Sequence, residues 1–300
     1  MHAQAKINLV LRVLAHETSG YHQIETLYCR IALGDTVQVT TTDGQRSLQC
    51  TGELPPGGLG AVEENLAWRA ATAYAQHTGW PAGFAIEIEK KIPVGGGLGG
   101  GSADAGAVLR ALNALNPAPL PARALLGVAG SLGSDVPFLT QDTSPLALGW
   151  GRGERLLVLD ALPERQCWLF SPGVAISTRD AYAWLAQEPP SHLPALIDPD
   201  VLQTWDGVAE LAHNDFEGPV SERVPSVSRL LATLRSVGAN KLVGRGAITQ
   251  MSGSGSTVFA LAGHAPSEGT QVIGWRSDEP GATVMETHTS ERVEPVEFID

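Results

Sequence analysis

The chain has 300 residues, 43% of them hydrophobic and 17% charged, with a formal net charge of -12 at pH 7. That length exceeds the ~100–200 residues usual for one domain, so two domains are expected, each with enough apolar content for a core. The acidic balance argues against broad nucleic-acid binding, which needs a basic surface to displace counterions, and the widely spaced Cys29, Cys50 and Cys167 suggest neither a disulfide framework nor a zinc knuckle, only reduced, half-buried thiols.

No apolar run approaches the ~18 residues of a membrane span, and strand patterning already begins in the first ten residues, so a cytoplasmic protein without membrane contact is expected. From Ala5 to Val13 the pattern alternates, with Ile7, Leu9, Leu11 and Val13 on one face. Lys6 and Asn8 share the other, about 6–7 Å apart by strand rise. Solvent or a ligand is an open alternative for that polar face. Gly20-Tyr21-His22 follows in a turn, where an aromatic beside an imidazole is either surface decoration or a platform for a planar ring. A helix is predicted over 64–77. Phe84, Ile86 and Ile88 then alternate with Ala85, Glu87 and Glu89, the period of a strand with one buried face.

Next comes Pro93-Val94-Gly95-Gly96-Gly97-Leu98-Gly99-Gly100-Gly101-Ser102-Ala103-Asp104. Each glycine costs about 0.5–1 kcal/mol against alanine in regular structure, so the run serves something other than packing. It offers backbone N–H groups that an anion can approach, followed by the N-terminus of an alanine- and leucine-rich helix that Pro117 stops. Ser102 or Asp104 is expected to cap that helix. A Walker-type loop needs a lysine where Gly101 stands. Gly95, Gly97 and Gly100 fit a dinucleotide fingerprint, but no Asp or Glu follows between Ala105 and Ser134 to hold a ribose. A phosphate cradle of another class and a tight structural turn both remain.

A helix over 122–132 leads to Gly133-Ser134-Asp135-Val136-Pro137-Phe138, where Asp135 is placed to cap a further turn and is the lone acid of a long stretch. Gly149, Gly151 and Gly153 suggest a flexible strip before a strand over 156–159. Beyond it the sequence predicts a strand over 168–170 and a helix from Ser177 to Ala186, capped by Ser177 or Thr178. A proline-rich connection from Gln187 to Pro199 follows, then a helix bearing Val227, Leu230, Leu231, Leu234 and Val237. Strands over 247–251 and 257–262 bracket Ser252-Gly253-Ser254-Gly255-Ser256, which reads either as a plain turn or as hydroxyls and amides closing a phosphate site. Residues 264–300 carry no motif, and their acidic end is an extra strand or a mobile tail.

Four of these segments, in order, resemble the GHMP small-molecule kinases: Ala5-Lys6-Ile7-Asn8-Leu9 with Gly20-Tyr21-His22, then Pro93 to Asp104, Leu132 to Phe138, and Met251 to Gly255. The first of them resembles, more narrowly, the 4-diphosphocytidyl-2-C-methyl-D-erythritol kinases of the non-mevalonate isoprenoid pathway. The resemblance reaches to about residue 262. It implies an α+β, two-domain GHMP kinase fold: an ATP-binding domain over 1–155 like ribosomal protein S5 domain 2, and a ferredoxin-like, substrate-side domain over 156–300. It implies ATP with Mg2+ on residues 93–104, although no carboxylate stands out as a ligand for the metal. Lys6 and Asp135 would form the catalytic pair, Asp135 taking the proton of the substrate's 2-hydroxyl and Lys6 steadying the moving phosphoryl group. Asn8, Tyr21 and His22 would hold the cytidine end, Thr178 and Tyr182 would line the site from the second domain, and Ser252, Gly253, Ser254 and Gly255 would close its phosphate side. A monomer or homodimer is expected. A homoserine, mevalonate or sugar kinase would keep the glycine loop without the opening motif, and a nucleotide sensor without turnover would lack Lys6 or Asp135.

Overall fold

The computed structural model describes residues 1–17, 22–187, 197–236, 247–263 and 282–299. Gly20, Tyr21, most of the proline-rich connection and Val237 lie outside those residues.

Alternation in the first forty residues produces two long antiparallel strands, β1 (His2–His16) and β2 (His22–Thr42). They are followed by β3 (Arg46–Gly52), α1 (Leu66–Thr78), β4 (Gly83–Lys90), α2 (Gly100–Leu115), α3 (Ala122–Gly130), α4 (Val136–Thr140), β5 (Leu146–Gly151) and β6 (Arg155–Leu159). The remainder holds β7 (Gln166–Ser171), α5 (Thr178–Leu185), α6 (Trp205–Leu211), β8 (His213–Asn214), α7 (Glu217–Arg223), α8 (Pro225–Arg235), β9 (Ile248–Met251), β10 (Val258–Leu261) and β11 (Thr283–His288).

A seven-stranded sheet runs β3-β4-β2-β1-β8, with β5 also paired to β2 and β6 to β5. Ala67, Ala70, Ala71 and Tyr74 of α1 and Ala105, Val108, Leu109 and Leu112 of α2 share one core with Ile7, Leu9, Ile86 and Ile88 of the sheet. Small residues bring the helices close. At Gly106, in mid-helix, a methyl would sit 2.5 Å from the Leu139 carbonyl oxygen of α4. Asn65 caps α1 by accepting from the Ala67 N–H at 2.9 Å, and Ser177 caps α5 by accepting from Asp180.

The second sheet runs β11-β7-β10-β9. Its two central strands, β7 and β10, are mostly apolar because both their faces are buried: Cys167, Leu169, Phe259 and Leu261 face the first core, while Trp168, Phe170, Val258 and Ala260 face a second core with α5, α7 and α8. The two residues of β8 pair in parallel with Val10 and Leu11 of β1 and join the halves.

Several expectations change. Gly149 and Gly151 belong to β5, and the supposed flexible strip is a hairpin into β6. Cys29 and Cys167 are wholly buried, not half-buried, and burial pushes the Cys29 thiol up to about 12. For the acidic end the strand alternative holds as far as His288 in β11, and the chain beyond it is hydrogen-bonded to the first half, with Thr289 bridging Ile31, Ser290 accepting from Gln4 at 2.8 Å, and Arg110 donating to the Glu294 carbonyl at 2.7 Å. Among the described residues no helix is long and apolar enough to cross a membrane.

Candidate active site

The polar face of β1 is not in solvent: Lys6 is 3% exposed and Asn8 2%. Irregularities in the β1–β2 register on either side of this pair, between Gln4 and Lys6 and between Asn8 and Val10, re-aim the strand locally. The Lys6 ammonium has three donors and three acceptors around it: Asn8 Oδ1 at 2.7 Å, the Gly97 carbonyl at 3.0 Å and Asp135 Oδ2 at 3.3 Å. Asn8 is fixed in turn by donating to Thr26 Oγ1 at 2.8 Å, and Thr26 donates to the Val10 carbonyl at 2.7 Å. Asp135 occupies the position before α4 but its side chain makes no cap. It turns instead to Lys6 and to the Tyr28 hydroxyl, which donates to Oδ1 at 3.0 Å. Burial, then the Asp135 charge, pushes the Tyr28 phenol well above its ordinary value, so it stays an O–H donor.

The glycine run meets α2 at Gly99, whose left-handed φ of 72° leads into a helix start with no side-chain cap. Ser102 and Asp104 lie inside the helix and cap nothing, which overturns that expectation. The first-turn N–H groups therefore have no side-chain acceptor, and the donor set fits an anionic triphosphate. Part of the glycine requirement has another cause. At Gly97 (φ +78°) a methyl would run into the Ser252 carbonyl and lie 3.1 Å from that of Gly255. The Ser252 hydroxyl donates to the Gly97 carbonyl at 3.0 Å and the Thr257 N–H to that of Gly96 at 3.2 Å. Asn214 of β8 donates to the carbonyls of Met251 at 2.7 Å and Gly253 at 2.9 Å, and the hydroxyls of Ser254 and Thr178 meet at 3.1 Å. The Ser-Gly hairpin thus bolts the glycine loop to the second half.

Beneath the loop, Lys90 pairs with Asp35 and, at 2.6 Å, with Asp104. Asp35 also accepts from the N–H groups of Lys91 at 2.6 Å and Ile92 at 2.8 Å. Burial pushes the Asp104 carboxyl up to about 7, with Lys90 opposing and Asp35 adding to the shift. Asp104 Oδ1 is buried without a hydrogen-bond partner. Among the described residues no group of three or more His, Cys, Asp or Glu side chains is placed to hold a metal.

At the other end, the His22 ring stacks on Tyr182 at 4.0 Å and 16°, and Tyr182 meets Phe216 edge-on at 4.8 Å. Burial, then His16, lowers the His22 pKa, and burial pushes Tyr182 up to about 12. One cavity of about 530 Å³ runs from the glycine loop past Lys6 and Asp135 to Thr178, Tyr182 and Phe216. Pro93 to Ser102, Asp104, Asn8, Gly253, Ser254 and Gly255 also line it, while Ala103 is buried behind it. Tyr21 lies outside the described residues. Sequence reasoning missed Lys90, Tyr28 and Arg152, all at the cavity wall. Lys90 had a signal, since it continues the buried parity of Phe84, Ile86 and Ile88.

Residues 65–142 match the GHMP kinases N terminal domain. The 4-diphosphocytidyl-2-C-methyl-D-erythritol kinase of Citrifermentans bemidjiense is 38% identical over 280 residues, 91% of this chain and 95% of that one. The protein of the same name from Deinococcus radiodurans is 37% identical over 87% of this chain and 83% of its own. A crystal structure of 4-(cytidine 5'-diphospho)-2C-methyl-D-erythritol kinase superposes with a TM-score of 0.73 at 33% identity, over 96% of this chain and 98% of that one. A mevalonate kinase, at 13% identity and a TM-score of 0.63, shares the fold.

Proposed function

We propose, for a chain that belongs to the 4-diphosphocytidyl-2-C-methyl-D-erythritol kinases of the GHMP kinase superfamily, a division of labour in the phosphorylation of the 2-hydroxyl of 4-diphosphocytidyl-2-C-methyl-D-erythritol by ATP. The observation that carries it is the Lys6–Asp135 pair, 3.3 Å apart, in one cavity between an uncapped helix start and the His22–Tyr182 stack.

ATP supplies the phosphoryl group and Mg2+ offsets its charge. In this reading the N–H groups from Gly95 to Gly101, with Ser102, receive the phosphates, and Pro93, Val94, Leu98, Ala103 and Asp104 shape and support that loop. Asp135 orients the acceptor hydroxyl and takes its proton as the oxygen forms its bond to phosphorus. Lys6 stands against charge on the transferring group, held in place by Asn8 and the Gly97 carbonyl. Tyr21, His22, Thr178 and Tyr182 hold the cytidine end, where a stacked imidazole and phenol offer a flat surface to a pyrimidine, whereas Asn8, expected with them, has its amide engaged by Lys6 and Thr26 at the reacting end. Ser252, Gly253, Ser254 and Gly255 close the phosphate side.

Residues 1–155 are proposed as the ATP-binding domain, like ribosomal protein S5 domain 2, and 156–300 as a ferredoxin-like substrate-side domain. Two sheets and two cores support this division, although β6 and β8 extend the first sheet from the second half. The enzyme is proposed to act in the cytoplasm on a small molecule, as a monomer or homodimer.

The test is ADP release and product mass with Mg-ATP and, in separate reactions, the cytidyl compound, homoserine, mevalonate and galactose. Phosphorylation of the cytidyl compound alone is expected. Turnover of another acceptor in its place overturns the substrate assignment.

A further inference from the structure

Tyr28 lies wholly inside the protein, yet its hydroxyl reaches the one proposed acid–base group of the site, donating to Asp135 Oδ1 at 3.0 Å. The phenol is held from several sides. Its ring stacks on Phe138 of α4 at 4.8 Å and 13°. A methyl at Gly149 on the neighbouring strand β5 would lie 2.7 Å from the ring, and one at Gly153 (φ +108°), in the turn that follows, would lie 2.5 Å from the hydroxyl. Two positions without side chains therefore form the slot for this ring. Asp135 needs such a partner because it caps no helix. With Lys6 on Oδ2 alone, the carboxylate would be free to rotate about its Cβ–Cγ bond; a second, fixed donor on Oδ1 sets its plane.

We propose that Tyr28 is a positioning residue for phosphoryl transfer: its hydroxyl occupies Asp135 Oδ1 and so presents Oδ2 to Lys6 and to the acceptor hydroxyl. Gly149 and Gly153 belong to this device because they admit the ring. The inference rests on the reading of Asp135 as the proton acceptor.

The experiment measures kcat, the separate Kd values for ATP and the cytidyl substrate, and the melting temperature for Tyr28→Phe and Asp135→Asn. A hydrogen bond to a charged group that matters in the transition state predicts a fall in kcat of about 10–100-fold for Tyr28→Phe. Both Kd values are expected to stay within about twofold, a split that general loosening would not produce. Unchanged kcat in Tyr28→Phe, with Asp135→Asn inactive, overturns the positioning role alone. An active Asp135→Asn overturns the reading on which it rests. Should Tyr28→Phe fail to fold, Gly149→Ala keeps the phenol and displaces the ring, and a lowered kcat with both affinities intact is again expected; unchanged kcat there counts against the proposal.

Discussion

Gly97→Ala separates the two reasons for glycine in the phosphate loop. Alanine at φ +78° costs about 1–2 kcal/mol as left-handed backbone. Its methyl would also meet the carbonyls of Ser252 and Gly255, backbone atoms that no rotamer change can move, and overpacking of this kind adds about 1–3 kcal/mol. Relief requires the loop to leave the Ser-Gly hairpin, weakening the bonds that the Gly97 carbonyl accepts from Lys6 and Ser252, each at 3.0 Å and each worth about 0.5–1.5 kcal/mol. Gly95→Ala is the control: φ is +75°, but the methyl would lie at 3.4 Å from Ala175 Cβ, an ordinary contact, so only the backbone cost of about 1–2 kcal/mol remains. Equilibrium urea unfolding should place Gly97→Ala about 2–4 kcal/mol below Gly95→Ala. A coupled ADP assay should show the larger fall in kcat for Gly97→Ala, because Lys6 loses a tether. Equal stability and equal turnover in the two variants would refute the argument that the second half imposes glycine at this position.

Asp135→Asn should lower kcat by about 10²–10⁴-fold while ATP binds as before, as loss of a general base does; titration with ATP and a turnover assay decide it, and retained turnover removes Asp135 from the chemistry. His22→Ala removes one ring of the stack with Tyr182 and should raise Kd for the cytidyl substrate about 2–10-fold, leaving ATP affinity intact. Separate calorimetric titrations check this, and a selective loss of ATP affinity would contradict it. Asp104→Asn tests the ion pair under the loop. The native Asp104 carboxyl is raised from 3.8 to about 7, so in that interval the folded state keeps a proton that the unfolded chain has released. Its contribution is full below 3.8 and is lost as pH rises through about 7. The variant mimics the protonated form throughout, so its stability relative to the parent should rise between pH 5 and pH 8; urea midpoints that keep a constant difference would rule this out.

The strands and helices around the site were legible because each carries its own period: alternation in β1 and β4, and an apolar stripe on α8. What the letters could not show is direction. Asp135 reads as a cap because an acid before Val136-Pro137 suits one, and only tertiary structure turns it toward Lys6 and Tyr28. Gly97 reads as a phosphate ligand, whereas its nearest constraint is a carbonyl 155 residues away, and a backbone acceptor leaves no mark in a sequence. Lys90 was readable in principle. A charged residue at the buried parity of a strand must find partners inside, and Asp35 and Asp104 supply them.

The Gly97 carbonyl links these observations. It accepts from Lys6 on the first sheet and from Ser252 at the second, so one backbone atom ties the proposed phosphoryl-stabilising group to the far half of the molecule. Gln250 adds a second tie by donating to the carbonyls of Asn8 at 2.8 Å and Leu9 at 3.0 Å. A hinge opening between the halves would have to break both before Tyr182 of α5 separated from His22 and Lys6 on the first sheet. The glycine loop and the Tyr182 side of the cavity are therefore tied to each other in the resting fold. This is the arrangement that phosphoryl transfer favours, because positioning and fixed charge supply most of its acceleration and both are lost when the supporting elements drift.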